Sequence, residues 1–221
     1  MRAVLVLALL VSTLGFGSIA VAQITGPTPE TKRPPAAESP RPPSRQQPSG
    51  TPLKAVEEPG ARAKRLDDLF AQLRQEASAA KAETIANRIG AEWADSGSAT
   101  VDLLVQRATQ AVGKQDNAAA FDFLDQAILL DPDYAEAWNR RATLNYSADQ
   151  YSQSLDDIRE TLKREPRHFG ALMGLAAILE ETDRKPQALQ TYLKVLEIYP
   201  TLKGAQDAVG RLSEEMAGQA L

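Results

Sequence analysis

The sequence predicts an all-α solenoid of antiparallel helical hairpins, and three observations predict it. Pro132, Pro166 and Pro200 recur every 34 residues. Small residues keep the same interval at Ala108, Ala142, Ala176 and Gly210, and again at Ala120, Ser154 and Ala188. Large apolar residues fill the same register at Leu104, Trp138 and Leu172, and at Ile128, Leu162 and Leu196. Self-similarity at one period of this length marks a stack of supersecondary units, here 101–134, 135–168 and 169–202.

Taken in chain order, the amino end comes first. Met1 and Arg2 give a short positive region, an apolar run extends from Ala3 to Val11, and small residues close at Ala20 and Ala22. This is the layout of a secretory signal peptide over residues 1–22, cut after Ala22, with the periplasm or the medium as destination. The alternative is an anchor that stays in place, because residues 3–22 carry no charge and about 20 apolar residues span a bilayer. The chain has no cysteine, so a bacterial lipobox is excluded.

Ten of the fourteen prolines fall between residues 27 and 59. Residues 23–60 hold almost nothing apolar apart from Ile24, Leu53 and Val56. Such composition predicts a disordered Pro-rich linker, stiffened locally toward polyproline II at Pro34-Pro35 and Pro42-Pro43.

Residues 61–100 predict one more hairpin. Leu66, Leu69, Phe70 and Leu73 form one helical stripe and Ile85, Ile89 and Trp93 another, which reads as a degenerate repeat. The three full units each split into two helical blocks at a polar break, and the small residues must lie where the two helices cross closely. The late proline of each unit ends its second helix, whereas Pro186 falls in the first turn of a helix and is tolerated there. Residues 203–221 predict a capping helix, with Ala208, Val209 and Leu212 facing the stack and Asp207, Arg211, Glu214 and Glu215 facing water.

The spacing resembles the tetratricopeptide repeat (TPR), with its early large residue, small residues at positions 8, 20 and 27, and proline at position 32. Ala135-Glu-Ala-Trp138-Asn-Arg-Arg-Ala142 is especially similar. The sequence departs from the family at position 7, which holds Arg107 and Arg141 in place of leucine. It departs again at position 11, where Ala111, Asn145 and Leu179 replace the usual aromatic. Leu66-Asp-Asp-Leu-Phe70, with the stretch from Trp93 to Leu104, is similar to exported bacterial TPR proteins of undefined role.

Composition excludes much chemistry. With Lys+Arg 25 against Asp+Glu 29, the formal net charge is −4, which argues against nucleic acid as a partner. Without cysteine and with His168 as the single histidine, no thiolate or multi-histidine metal site and no histidine-based triad can form. His168 ends the second unit and is expected to serve that turn. The adjacent pairs Asp156-Asp157, Glu180-Glu181 and Glu214-Glu215 point about 100° apart on a helix and read as solvated surface. Ser98 is expected to cap a helix beginning near Ala99. No catalytic residue, cofactor or metal is predicted.

Binding is predicted instead. Stacked hairpins curve, and the first helix of every unit lines the concave face. The family resemblance assigns that lining to positions 2, 5, 9 and 12. Its candidate contacts are Asp102, Val105, Thr109 and Val112 in the first unit, Glu136, Asn139, Thr143 and Tyr146 in the second, and Gly170, Met173, Ala177 and Glu180 in the third. Arg140 and Arg141 belong to a basic patch suited to an acidic segment. TPR domains that grip a chaperone's terminal carboxylate use basic and amide side chains at places held here by Val105, Thr109, Gly170 and Gly174, and only Asn139 matches.

The sequence therefore predicts a non-catalytic protein-protein interaction scaffold of the bacterial envelope that holds a peptide segment of a protein partner, with no membrane span after signal cleavage. The alternatives are a periplasmic assembly or cell-division accessory, or an accessory of a carbohydrate or peptidoglycan enzyme.

Overall fold

A computed structural model describes residues 60–218. The signal peptide expected over 1–22 and nearly all of the linker expected over 23–60 lie outside the described residues. Among the described residues all regular structure is helical: α1 (Ala61–Gln75), α2 (Ala79–Trp93), α3 (Ala99–Gly113), α4 (Asn117–Leu130), α5 (Ala135–Ser147), α6 (Tyr151–Arg164), α7 (Phe169–Glu181), α8 (Lys185–Ile198) and α9 (Lys203–Gly218).

From α3 onward the helices pair as antiparallel hairpins, α3 with α4, α5 with α6 and α7 with α8, and α9 packs on α8. The turn inside each hairpin is the same. Gln115, Asp149 and Asp183 take the left-handed conformation, at φ of 61°, 57° and 56°. The amide of the next residue then reaches back five positions, from Asp116 to Ala111, Gln150 to Asn145 and Arg184 to Leu179, at 2.9, 2.9 and 2.7 Å. These bonds satisfy carbonyls that the helix end would leave open. Pro186 sits in the first turn of α8.

The small residues lie where the helices cross. Ala108, Ala142 and Ala176 are buried, as are Ala120, Ser154 and Ala188. The Ser154 hydroxyl donates to the Ala142 carbonyl at 2.8 Å, so the crossing is tight enough for a side chain of one helix to bond the backbone of the other. Gly210 breaks the series and is exposed, because α9 has no second helix to cross it.

Stacking from unit to unit uses two further positions. Ala137, Ala171 and Ala205 open α5, α7 and α9 and are buried, and so are Leu144, Ile178 and Leu212 further along those helices. The equivalents on α3 are Leu103, 47% exposed, and the exposed Gln110. That face of α3 is open to solvent, and the polar residue at 110 suits it to be.

The hairpin α1–α2 therefore does not stack on α3 as a preceding repeat would. Its apolar face, built from Leu69, Phe70, Leu73, Ile89 and Trp93, shares a core with Phe169, Ile198, Tyr199 and Leu202. These residues sit at the start of α7, at the end of α8 and in the turn from α8 to α9. Trp93 lies flat on His168, ring centroids 4.0 Å apart and planes 9° from parallel. Arg167 lies over the Phe70 ring at 4.3 Å and pairs with Asp67 at 2.7 Å. The hairpin thus runs along the edge of the stack, where second helices end and first helices begin.

Candidate functional site

Two cavities open on the face made by α3, α5 and α7. The larger, of about 330 Å³, is lined by Thr109 and Val112 of α3, Asn117 of α4, and Asn139, Arg140 and Thr143 of α5, over a floor that includes Leu124 and Leu144. The smaller, of about 220 Å³, is lined by Asn139, Thr143 and Tyr146 of α5 and Gly170 and Gly174 of α7, over Ala142, Ile158 and Ala171. Asn139 and Thr143 border both, so the exposed ridge of α5 separates them.

Of the residues predicted for this face, Thr109, Val112, Asn139, Thr143 and Tyr146 line the cavities. Val105 does not. It is buried in the core with Val101, Ala108 and Leu124, since helix α3 turns this position inward. Met173 packs with the core of the third unit, and its methyl lies 3.6 Å from where a Cβ on Gly204 of α9 would stand. Glu180 accepts from Tyr192 and pairs with Arg211 of α9 at 2.7 Å. Met173, Ala177 and Glu180 lie outside the two cavities, Met173 and Glu180 because they face α9. Gly170, expected on this face, and Gly174, which register did not assign to it, both line the smaller one; the signal for Gly174 is a glycine inside a helix, where glycine costs stability.

The predicted basic patch does not form as one. Arg140 faces the larger cavity, where its Nη1 donates to Thr109 at 3.0 Å and its Nε lies 2.9 Å from Glu136. Arg141, one residue on, faces α6. It bonds both carboxylate oxygens of Asp157, at 3.0 and 2.6 Å, and reaches Asp125 of α4 at 2.6 Å. Asp157 is buried and also accepts from Asn145 at 2.9 Å, so it is not the solvated surface that its sequence context suggests. Arg159, Arg164 and Arg167 are likewise paired with carboxylates.

Glu136 links the groove to the hairpin. Nδ1 of His168 accepts from the Ala171 amide at 3.1 Å and caps α7. The neutral ring therefore carries its proton on Nε2, which donates to Glu136 at 3.2 Å. Burial pushes the Glu136 carboxyl up, but the His168 bond, the charge of Arg140 and the Asn139 amide outweigh burial and hold it below its ordinary value. The Ser98 hydroxyl accepts from Val101 at the start of α3, at a long 3.5 Å. No helix among the described residues is long and apolar enough to cross a membrane. No group of three or more His, Cys, Asp or Glu among them is placed to hold a metal ion.

Comparison with known proteins places these features in a family. The tetratricopeptide repeat family model matches residues 141–202. A TPR repeat-containing protein of Rhizobium etli is 52% identical over 154 residues, which span 70% of this chain and 76% of that protein. Among solved structures, the first TPR of Spaghetti (RPAP3) bound to an HSP90 peptide superposes with a TM-score of 0.51 at 16% identity, over 53% of this chain and 94% of that one. The Arabidopsis OM64 TPR domain gives 0.50 at 19% identity over 52% and 96%, and a crystal structure of MamA gives 0.50 at 16% over 73% and 86%. At such identities the structures speak for the fold, and the relative speaks for descent: this chain belongs to the tetratricopeptide-repeat proteins.

Proposed function

We propose that this protein is a non-catalytic scaffold that holds a segment of a protein partner against the α3–α5–α7 face. The TPR fold is itself that of a protein-protein interaction scaffold. The observation that carries the reading to this face is the pair of cavities joined across Asn139 and Thr143, with apolar floors and an amide and hydroxyl rim. A few placed polar groups above apolar surface suit recognition of a peptide segment. Spaghetti's domain is bound to an HSP90 peptide; here Val105 is buried and Gly170 and Gly174 carry no side chain, so this groove takes a different ligand.

We further propose that the scaffold works in the bacterial envelope. The support is the charge and hydropathy layout of residues 1–22 and the proline content of 23–60. A signal, a Pro-rich spacer and repeats toward the carboxyl end fit a periplasmic assembly or cell-division accessory.

The test is co-purification from the native envelope with Tyr146→Ala. Tyr146 lines the smaller cavity and stacks on Tyr151 at 5.6 Å. Loss of the co-purifying partner with helicity retained supports the scaffold. Turnover by the purified chain that depends on Glu180 or Glu181 overturns it.

A further inference from the structure

The groove's hydrogen-bonding groups are divided, with donors at Asn117 and Arg140 on the larger cavity, where Arg140 Nε has no hydrogen-bond partner among the described residues, and acceptors on the ridge of α5. The hydroxyls of Thr109, Thr143 and Ser147 each donate to a carbonyl of their own helix, at Val105, Asn139 and Thr143, all at 3.0 Å. A hydroxyl has one proton and two lone pairs, so Thr143 and Ser147 present acceptors to the groove, while Thr109 already accepts from Arg140. Asn139 spends an amide hydrogen on Glu136 at 3.2 Å, and its carbonyl oxygen is an acceptor in any case. The ridge between the cavities, Asn139 and Thr143, therefore offers acceptors and asks for donors.

Charge is absent in the same sense. Glu136 lies between His168 and Arg140, and Arg140 between Glu136 and Thr109, so the ionisable groups of the rim neutralise one another. A charged ligand side chain would lose its water there and meet no unpaired counter-charge.

A peptide backbone supplies donors only where its own amides are unused, which excludes an α-helix and favours an extended conformer. The two sockets lie on either side of one helix, and neighbouring helix axes stand about 8–10 Å apart. A β-strand places residues three apart on opposite faces. A polyproline II conformer repeats every 3 residues with a rise of about 3.1 Å, so residues i and i+3 share a face about 9 Å apart, and its amides make no internal bonds. Building on the scaffold reading, we infer that the groove binds an uncharged segment in the polyproline II conformation with bulky apolar side chains at i and i+3. One side chain enters each cavity, and the two amides between them donate to Asn139 and Thr143. The residues between the anchors are not proline, which has no amide hydrogen.

Gly174 supplies the control. A Cβ built there meets only the Ile158 Cδ1, at 3.5 Å, an ordinary contact. Gly174→Leu thus fills the smaller socket from a helix position where leucine is preferred to glycine. Val112→Phe fills the larger one from a position already 46% exposed.

The probe is a fluorescein-labelled, amidated octapeptide, Ser-Gln-Leu-Ser-Thr-Leu-Gln-Ser, titrated against the full chain. Its comparison set moves the leucines one residue closer or further apart, methylates the two amides between them, or replaces Ser-Thr by Glu-Glu. The expected result is that every comparison peptide binds at least about tenfold more weakly, the scale set by burying one leucine side chain. Gly174→Leu and Val112→Phe each weaken the parent peptide to a similar degree, with thermal midpoints no lower than that of the parent chain. Amide shifts on binding centre on Asn139, Thr143 and Gly174. Binding indifferent to spacing or to methylation, or absent at about 1 mM, overturns the inference. The Tyr146→Ala capture uses no peptide, so it judges the scaffold reading separately.

Discussion

Arg141 meets both carboxylate oxygens of Asp157, which is buried at the heart of the second unit, and the same guanidinium reaches Asp125 of the unit before. Asn145 completes the group. Arg141 and Asn145 are two of the residues that depart from the family pattern, and Asp157 is the partner that makes each tolerable. Asp157→Ala is expected to cost about 3 kcal/mol in urea unfolding, because it leaves a buried amide without its acceptor and a half-buried cation with Asp125 alone. Replacing Arg141, Asn145 and Asp157 together by leucine is expected to restore stability to within about 1 kcal/mol of the parent.

The three left-handed turn residues make an opposite prediction. Gln115 holds a φ of 61° that costs a side-chain-bearing residue about 1 kcal/mol or more. Gln115→Gly is expected to raise stability by about 0.5–1 kcal/mol, after the entropy that glycine loses on folding. Asp149→Gly should gain less, since aspartate tolerates this conformation better than glutamine. Thermal midpoints of the two variants check the order.

Crossing distance has its own test. Ala142 is buried, and its carbonyl accepts from Ser154 on the facing helix. Ala142→Leu inserts three carbons into that contact and is expected to cost about 1–3 kcal/mol, read from the denaturation midpoint. An unchanged midpoint would contradict the packing.

Glu136 predicts a pH dependence. Its carboxyl is held below the ordinary 4.5, so the bonds to the ionised form stabilise the fold above that pH. The contribution is lost as pH falls through the depressed value. The stability gap between the parent chain and Glu136→Gln is therefore expected to be full near pH 6 and to close progressively below pH 4.5. Thermal melts at a series of pH values check it.

The stack was legible in the sequence because its physics is local and repeated. A proline ends each second helix, an alanine or serine stands at each crossing, and the interval never slips. The edge position of α1–α2 was not legible. It depends on Trp93 meeting His168, Arg167 meeting Phe70, and Tyr199 joining their core, contacts between segments far apart in the sequence with no periodicity to announce them. The groove was legible in part. Thr109, Val112, Asn139, Thr143 and Tyr146 follow from register alone, whereas the burial of Val105 and the diversion of Met173 and Glu180 toward α9 follow from which helices flank each position. Arg140 and Arg141 looked like one patch because adjacency in sequence hides a turn of about 100° on a helix.

The central claim is that the partner lies on the α3–α5–α7 face, and site-specific photocrosslinking in the native envelope tests it most directly. A benzophenone side chain placed at Thr143, between the two cavities, is compared with one at Leu193, exposed on α8. The account predicts a discrete adduct from position 143 that Gly174→Leu suppresses, and none from 193. An adduct from 193 alone, or one from 143 that persists undiminished when the socket is filled, would contradict it.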